Sequence, residues 1–257
     1  MEALAGLRLL PNRDWTPVAL AAATQFGSSA KLVSVLTKLE GLAWIMQLGR
    51  RYDTQRLNRY SEIIRSLDQP DAALDACLVP IPEENEDAWL SLSGPLYSKF
   101  PVRVVRAILE RLDRLMAEQP VVWDGQKTVE HILPQNPDAG EWAQFGPDLK
   151  STITNTIGNL VLLTSRKNSS ASNAPFADKK KIYSGQGHTA AGKKRATYAS
   201  AQELVALPDW DAVAYQDRQK RHLALLTERW GIRPVPPNPQ TAVARDVVAR
   251  MIAKVSD

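Results

Sequence analysis

The chain contains only three histidines, and four polar residues with suggestive spacing stand out. Glu130 and His131 are adjacent in the run EHILP, and Asn159 and Asn168 follow later in the chain. A neutral imidazole, whose ordinary pKa is about 6.5, can take a proton from water. Carboxylate and amide oxygens are ligands that Mg²⁺ and Mn²⁺ prefer. These residue types suit metal-dependent hydrolysis, for instance of a phosphodiester.

Each residue has a predicted role and an ordinary structural alternative. His131 is the predicted base, although a lone histidine in a strand is often structural. Glu130 and Asn168 are the predicted ligands of one divalent metal, Mg²⁺ or Mn²⁺, with phosphate and water completing the shell. Alternatively, Glu130 points to solvent because strand residues alternate faces, and Asn168 caps a helix. Asn159 is predicted to bridge two strands and fix the loop that holds His131.

The remaining histidines and the single cysteine narrow the chemistry further. His188 lies in a glycine-rich loop and His222 follows Arg221 on a predicted helix, where we expect it at the surface. Cys77 is the only cysteine, which excludes an internal disulfide and a cysteine-rich zinc site. We therefore expect no structural zinc.

Positive charge is concentrated in one part of the chain. The formal net charge is only +4, but residues 161–200 contain eight basic residues and one acidic residue, a local net charge of +7. Such a field attracts polyanions, although a run of charge is also typical of a solvated loop. The predicted contacts to DNA phosphates are Arg166, Lys167, Lys179, Lys180 and Lys181.

Hydrophobic periodicity predicts the elements that position these residues. Apolar residues repeat every three or four positions over 32–46, 57–67 and 104–115, which indicates amphipathic helices. The proline-rich stretch 79–101 is predicted to be a loop with a short helix. Two short apolar runs, 127–133 and 158–163, are typical of strands. The predicted fold is mainly α, with helical regions flanking a two-stranded antiparallel hairpin.

Four segments follow from this pattern. A helical region is predicted over 1–118, a core with a basic loop over 119–200, closing helices over 201–233, and a proline-rich linker with a C-terminal amphipathic helix over 234–257. There is no apolar run of the ~20 residues that a membrane helix needs, and no signal peptide is evident. We therefore expect a cytoplasmic protein with no membrane partner.

The order of these motifs resembles the ββα-metal core of HNH, or His-Me finger, nucleases. More specifically, the chain resembles the C-terminal nuclease domain of GmrSD-type modification-dependent restriction enzymes, a group that includes SspE-like proteins. The likeness covers roughly residues 30–232 and is most specific over 158–183. Its signature residues are His131, Pro134, Trp142, Gly158, Asn159, Leu160, Asn168, Ser172, Asn173, Phe176 and Lys179 or Lys180.

This resemblance implies a DNA endonuclease of phage defence that nicks or cuts both strands. Relatives carry a separate N-terminal ParB-like NTPase domain that senses modified DNA, so the implied partners are phage DNA and such a sensor domain or subunit. The motifs of that sensor are not evident in this sequence, which we therefore interpret as a nuclease half. Two alternatives stay open: a catalytically silent module that binds DNA or docks a partner, and a nuclease that acts on RNA.

Overall fold

The computed structural model describes residues 2–117, 126–137, 140, 142–184 and 198–236, with only the backbone of residues 166 and 170. The chain divides into two compact units. The first contains residues 2–92 and 226–235, and the second contains residues 93–225. The structural division therefore lies earlier in the chain than the predicted boundary at residue 118.

The first unit is helical. Its helices are α1 (Glu2–Leu7), α2 (Thr16–Phe26), α3 (Ala30–Leu48), α4 (Asp53–Ser66), α5 (Asp71–Leu78) and α6 (Pro82–Ser93, whose last residue belongs to the second unit). Helix α3 is the centre of the core, because most of its residues between Leu32 and Leu48 are buried. Trp44 of α3 stacks on Trp230, with ring centroids 4.8 Å apart. The helices predicted over 32–46 and 57–67 are confirmed.

The stretch 79–101 is more ordered than its prolines suggested. The prediction of a loop with a short helix underestimates α6, which has 12 residues. Pro82 is the first residue of α6, where a missing N–H removes no intrahelical hydrogen bond. Glu83 and Glu84 lie in the first turn, where negative charge is favourable. A proline therefore begins this helix instead of breaking it.

The second unit carries all the candidate site residues. Its elements are α7 (Leu96–Lys99), α8 (Val102–Met116), β1 (Lys127–His131), α9 (Pro147–Ile153), a 3₁₀ turn (Ile157–Asn159), β2 (Leu160–Thr164), α10 (Ser165–Ala171), α11 (Phe176–Tyr183), α12 (Ala199–Val205) and the start of α13 (Ala212–Trp230). Residues 226–230 of α13 belong to the first unit.

The two strands form the antiparallel hairpin that the sequence predicted. His131 pairs with Leu160 and Lys127 pairs with Thr164, so both strands have five residues. Helix α10 follows β2 directly and contacts both strands, which completes a strand–strand–helix core. The prediction of a mainly helical fold around a small ββα core is confirmed.

An apolar interior holds this core together. The residues of β2 from Leu160 to Leu163 are fully buried, as is Tyr183 of α11, and Phe176 is 5% exposed. Burying a large apolar side chain stabilises a fold by roughly 1.5–3 kcal/mol. The hairpin and its two following helices are therefore held by packing of side chains that lie close together in sequence.

Three sequence predictions fall outside the described residues. They concern the C-terminal amphipathic helix within 234–257, the loop that contains His188, and the side chain of Arg166. Among the residues that the structure does describe, no helix is long and apolar enough to cross a membrane.

Candidate active site

His131 is the last residue of β1, and its imidazole is enclosed by two neighbours. The residue is 9% exposed. Its Nε2 lies 3.2 Å from Oδ1 of Asn155, and the ring of Tyr97 meets the imidazole edge to face with centroids 4.5 Å apart. Burial lowers the pKa of His131 to about 4; the hydrogen bond that the ring makes to Asn155 Oδ1 opposes this shift, and the charge of Lys179 reinforces it. The imidazole is therefore neutral near pH 7, with a lone pair on one ring nitrogen, and is a weaker base than an exposed histidine.

The side chain of Asn159 hydrogen-bonds both the segment that follows β1 and the segment that precedes β2. Its Nδ2 donates to the main-chain oxygens of Leu133 and Thr154, both at 2.9 Å. Its Oδ1 accepts from the main-chain nitrogen of Leu133 at 2.8 Å, and its own carbonyl accepts from Ile132 N at 2.9 Å. The fully buried amide is occupied by main-chain groups on both of its polar atoms. It can thus fix the segment after His131, which is the role predicted for it, but it is not free to bind a ligand.

Glu130 lies beside His131 in the strand and forms a buried ion pair. Nζ of Lys179 lies 2.6 Å from Oε1 of Glu130 and donates to the carbonyl of His131 at 2.7 Å. Burial raises the pKa of the Glu130 carboxyl, and the Lys179 charge counteracts this rise. Burial likewise lowers the pKa of Lys179, against the opposing effect of Glu130. The two charges compensate each other in the interior.

This ion pair changes the interpretation of both partners. Lys179 has no exposed surface, so it cannot reach a DNA phosphate in this structure, contrary to the sequence prediction. Glu130 does not point to solvent either. A second cation beside it would face the positive charge of Lys179 at close range, so the geometry does not fit Glu130 as a metal ligand.

Asn168 lies on α10, on the helix predicted to carry it. Its Nδ2 donates to the carbonyl of Val129 in β1 at 3.3 Å. That bond orients the side chain, and no described residue hydrogen-bonds Oδ1. An oriented amide oxygen suits a hard cation such as Mg²⁺. No group of three or more His, Cys, Asp or Glu residues that could hold a metal occurs within the described ranges. A metal at Asn168 would therefore need oxygens from substrate and water.

The other predicted phosphate contacts differ in their surroundings. Lys180 donates to the carbonyl of Leu207. Lys181 is well exposed and pairs with Asp178 at 2.6 Å. Lys167 is half-buried and already has an interaction partner. Among the described lysines of this set, Lys181 is thus the one whose side chain is most open to an approaching polyanion.

Arg218, a buried arginine that was not among the predicted site residues, hydrogen-bonds the main chain on both sides of Asn159. Arg218 of α13 is fully buried, and its Nη1 donates to the carbonyls of Gly158, at 2.5 Å, and Leu160, at 3.0 Å. Gln219 accepts from Gly158 N at 2.5 Å. A Cβ on Gly158 would lie 2.8 Å from Cβ of Gln219, which explains why glycine occupies this position.

Arg218 belongs to a cluster centred on Glu203. Arg218 Nε lies 2.6 Å from Glu203 Oε1, and His222 Nε2 lies 2.7 Å from the same oxygen. These partners lower the pKa of Glu203 to about 2, with the charge of Arg218 as the largest favourable cause against the effect of burial. The expectation that His222 lies at the surface is wrong, since it is fully buried and burial lowers its pKa to about 4.

The sequence did contain a signal for this cluster. Arg218, His222, Leu226 and Trp230 are spaced by four and share one helical face, and all are buried. Polar residues on the face that carries Leu226 and Trp230 are expected to be buried. Asn155 had no comparable signal, because it lies in an irregular segment after α9.

Comparison with known proteins adds one finding. The family model described as GmrSD restriction endonucleases, C-terminal domain, matches residues 85–224, which is more than half of the chain. The matched range includes both strands, α10, and the residues from Tyr97 to His222 that form the site. No curated protein matches the chain.

Proposed function

Because the chain belongs to the family of GmrSD restriction endonuclease C-terminal domains, we propose that it is a metal-dependent DNA endonuclease of the HNH type. Membership implies a nuclease domain that acts on DNA. The metal dependence, the mechanism and the defence role are the proposal. The observation that supports it best is the buried, neutral imidazole of His131 at the end of β1, held by Asn155 and followed by a segment that Asn159 fixes.

His131 acts as the general base. The neutral imidazole takes a proton from a water molecule, and the resulting hydroxide attacks the phosphorus of a phosphodiester. The P–O bond to the leaving oxygen breaks on the opposite side, and solvent water protonates that oxygen. A positioned general base of this kind contributes roughly 10²–10⁴-fold to the rate. Tyr97 and Asn155 keep the ring in place during the transfer, since both contact it in the structure.

Asn168 is the residue proposed to hold the metal. Mg²⁺ or Mn²⁺, bound by its Oδ1 together with phosphate and water, would supply positive charge that stabilises the leaving oxygen. Glu130 has a different role in this proposal: it neutralises Lys179 and thereby anchors the end of β1. We further propose phage DNA as the target, with a ParB-like sensor domain or subunit as the partner, on the strength of the family alone.

Incubation of the purified chain with labelled plasmid or phage DNA and with labelled RNA tests this function. Each substrate is incubated with Mg²⁺, with Mn²⁺ and with EDTA. We expect DNA cleavage with either metal and none with EDTA, and a strong loss of activity in Asn168→Ala. Binding of DNA without turnover under every metal would instead favour a silent binding module. Preferential cleavage of RNA would correct the substrate class while leaving the chemistry intact.

A further inference from the structure

Asn155 forms three hydrogen bonds around the imidazole of His131, and none of the site motifs in the sequence includes it. Its Oδ1 lies 3.2 Å from His131 Nε2 and also accepts from Nε2 of Gln135 at 3.2 Å. Its main-chain oxygen accepts from the main-chain nitrogen of Tyr97 at 2.9 Å. Asn155 therefore holds the imidazole directly and also fixes the residue whose ring covers it.

The direction of these bonds determines which nitrogen of His131 carries the proton. Gln135 donates to Oδ1 of Asn155, so this oxygen acts as an acceptor in both bonds. A neutral imidazole has one N–H and one lone pair. If Oδ1 accepts from Nε2, then Nε2 carries the hydrogen and Nδ1 carries the lone pair. No described residue forms a hydrogen bond with Nδ1.

No other polar side chain in the described part of the chain hydrogen-bonds this ring. The amide of Asn159 is occupied by the main chain of Leu133 and Thr154. Lys179 reaches the carbonyl of His131 and not its imidazole. The orientation of the imidazole about its last side-chain bond thus depends on Asn155 and on packing against Tyr97.

We propose that Asn155 is a positioning residue that fixes His131 as the Nε2–H tautomer and so presents Nδ1 to the reacting water. Its catalytic consequence rests on the proposed nuclease function. The tautomer itself does not, because it is a property of the folded protein without substrate. Displacement of a catalytic base by about 1 Å lowers the rate on the order of 10²-fold. We therefore expect an effect of up to this size on the turnover number.

The experiment combines two measurements on the full chain. Nitrogen NMR of protein labelled with ¹⁵N-histidine at neutral pH identifies the tautomer, with the signals of His131 assigned by their absence in His131→Ala. Cleavage kinetics then separate kcat from KM. The variants are Asn155→Leu, which removes the acceptor, and Asn155→Asp, which retains one. Asn85→Leu is the matched control, because among the described residues the Asn85 side chain hydrogen-bonds only main-chain atoms of Arg233 in the first unit.

We expect the wild type to show a protonated Nε2 and an unprotonated Nδ1 at His131. Asn155→Leu should lose this preference and lower kcat by about 10–100-fold with KM changed less than about 2-fold. Asn155→Asp should retain the tautomer and most of kcat, and Asn85→Leu should match the wild type in both measurements.

Two results would overturn the inference. One is a wild-type His131 protonated at Nδ1, which needs no variant to observe. The other is a folded Asn155→Leu protein with unchanged tautomer and unchanged kcat. Absence of cleavage by the wild type, with the Nε2–H tautomer present and lost in Asn155→Leu, would reject the proposed nuclease function and leave the positioning role of Asn155 standing.

Discussion

The ammonium nitrogen of Lys179 lies 2.6 Å from Oε1 of Glu130, and the two side chains are 0% and 7% exposed. The same nitrogen donates to the carbonyl of His131. One buried ion pair thus ties α11 to the end of β1, at the residue that we propose as the base. This pair and the apolar packing of β2 both stabilise the hairpin.

Replacement of Lys179 should destabilise the second unit strongly. Lys179→Met leaves the Glu130 carboxylate buried without its partner, and such changes cost about 3–5 kcal/mol. Urea titration of the wild type and of Lys179→Met measures this loss in the free energy of unfolding. Lys181→Met is the matched control, because Lys181 is exposed in its pair with Asp178 and should change stability by less than about 1 kcal/mol. Equal losses in the two variants would show that the buried pair has no special role.

The cluster around Glu203 offers a second comparison between two arginines. Arg218 is fully buried and bonds Glu203 and three main-chain carbonyls, whereas Arg221 contacts Glu203 with a side chain that is 54% exposed. Arg218→Met should therefore lower the thermal midpoint by roughly 10 °C, and Arg221→Met by no more than about 3 °C. Similar thermal midpoints for both variants would contradict the importance of the hydrogen bonds from Arg218 to the carbonyls of Gly158 and Leu160.

These buried charges show what the sequence could and could not predict. Helices α3, α4 and α8 were predictable because their apolar residues repeat with the period of a helix, and the hairpin because its strands are short and apolar. The burial of Lys179 was not predictable in this way, because its partner Glu130 lies 49 positions away in the chain. A run of three lysines looks uniform in sequence, yet one lies in the interior and another is well exposed.

The site was predictable to a similar extent. His131, Asn159 and Asn168 could be selected by type and order, since each lies in or next to a predictable element. Whether Glu130 could bind a metal could not be judged from sequence, because it depends on whether a cationic side chain already pairs with the carboxylate. Asn155 was not predictable from a pattern, since an irregular segment brings it to the imidazole and no periodicity describes such a segment.

Loss of the Asn159 amide should affect both stability and turnover. Asn159→Ala leaves the N–H and carbonyl of the buried Leu133 without these partners, at about 1–3 kcal/mol for each unsatisfied group, and also removes the bond to the half-buried Thr154. We expect a lower urea midpoint and, in the protein that stays folded, a fall in kcat. Asn58→Ala serves as the comparison, since Asn58 is exposed on α4 in the first unit. A normal urea midpoint in Asn159→Ala would show that the hydrogen bonds of the Asn159 amide are dispensable for stability.

The acid limb of activity should lie well below the ordinary pKa of histidine. Burial lowers the pKa of folded His131 to about 4, so the base stays unprotonated until the pH approaches that value. The kcat/KM profile should thus be flat from about pH 8 to pH 6 and fall only at lower pH. An acid limb centred near pH 6.5 would contradict the burial of this imidazole.

The lowered pKa of His131 should also make the free energy of unfolding depend on pH. The unfolded chain protonates His131 at about pH 6.5, whereas the folded chain does so at about pH 4. This residue therefore contributes stability above pH 6.5 that is lost as the pH falls from there to about 4. The difference in unfolding free energy between wild type and His131→Ala, measured across this interval, checks the prediction, and a difference independent of pH would contradict it.

The most direct test of the central claim is the single-turnover rate of DNA cleavage by His131→Ala in Mg²⁺ or Mn²⁺. His188→Ala is the control, since His188 is not among the residues predicted to form the site. Removal of a general base is expected to lower the rate by about 10²–10⁴-fold, while His188→Ala should cut at the wild-type rate. Cleavage by folded His131→Ala at the wild-type rate would contradict the account.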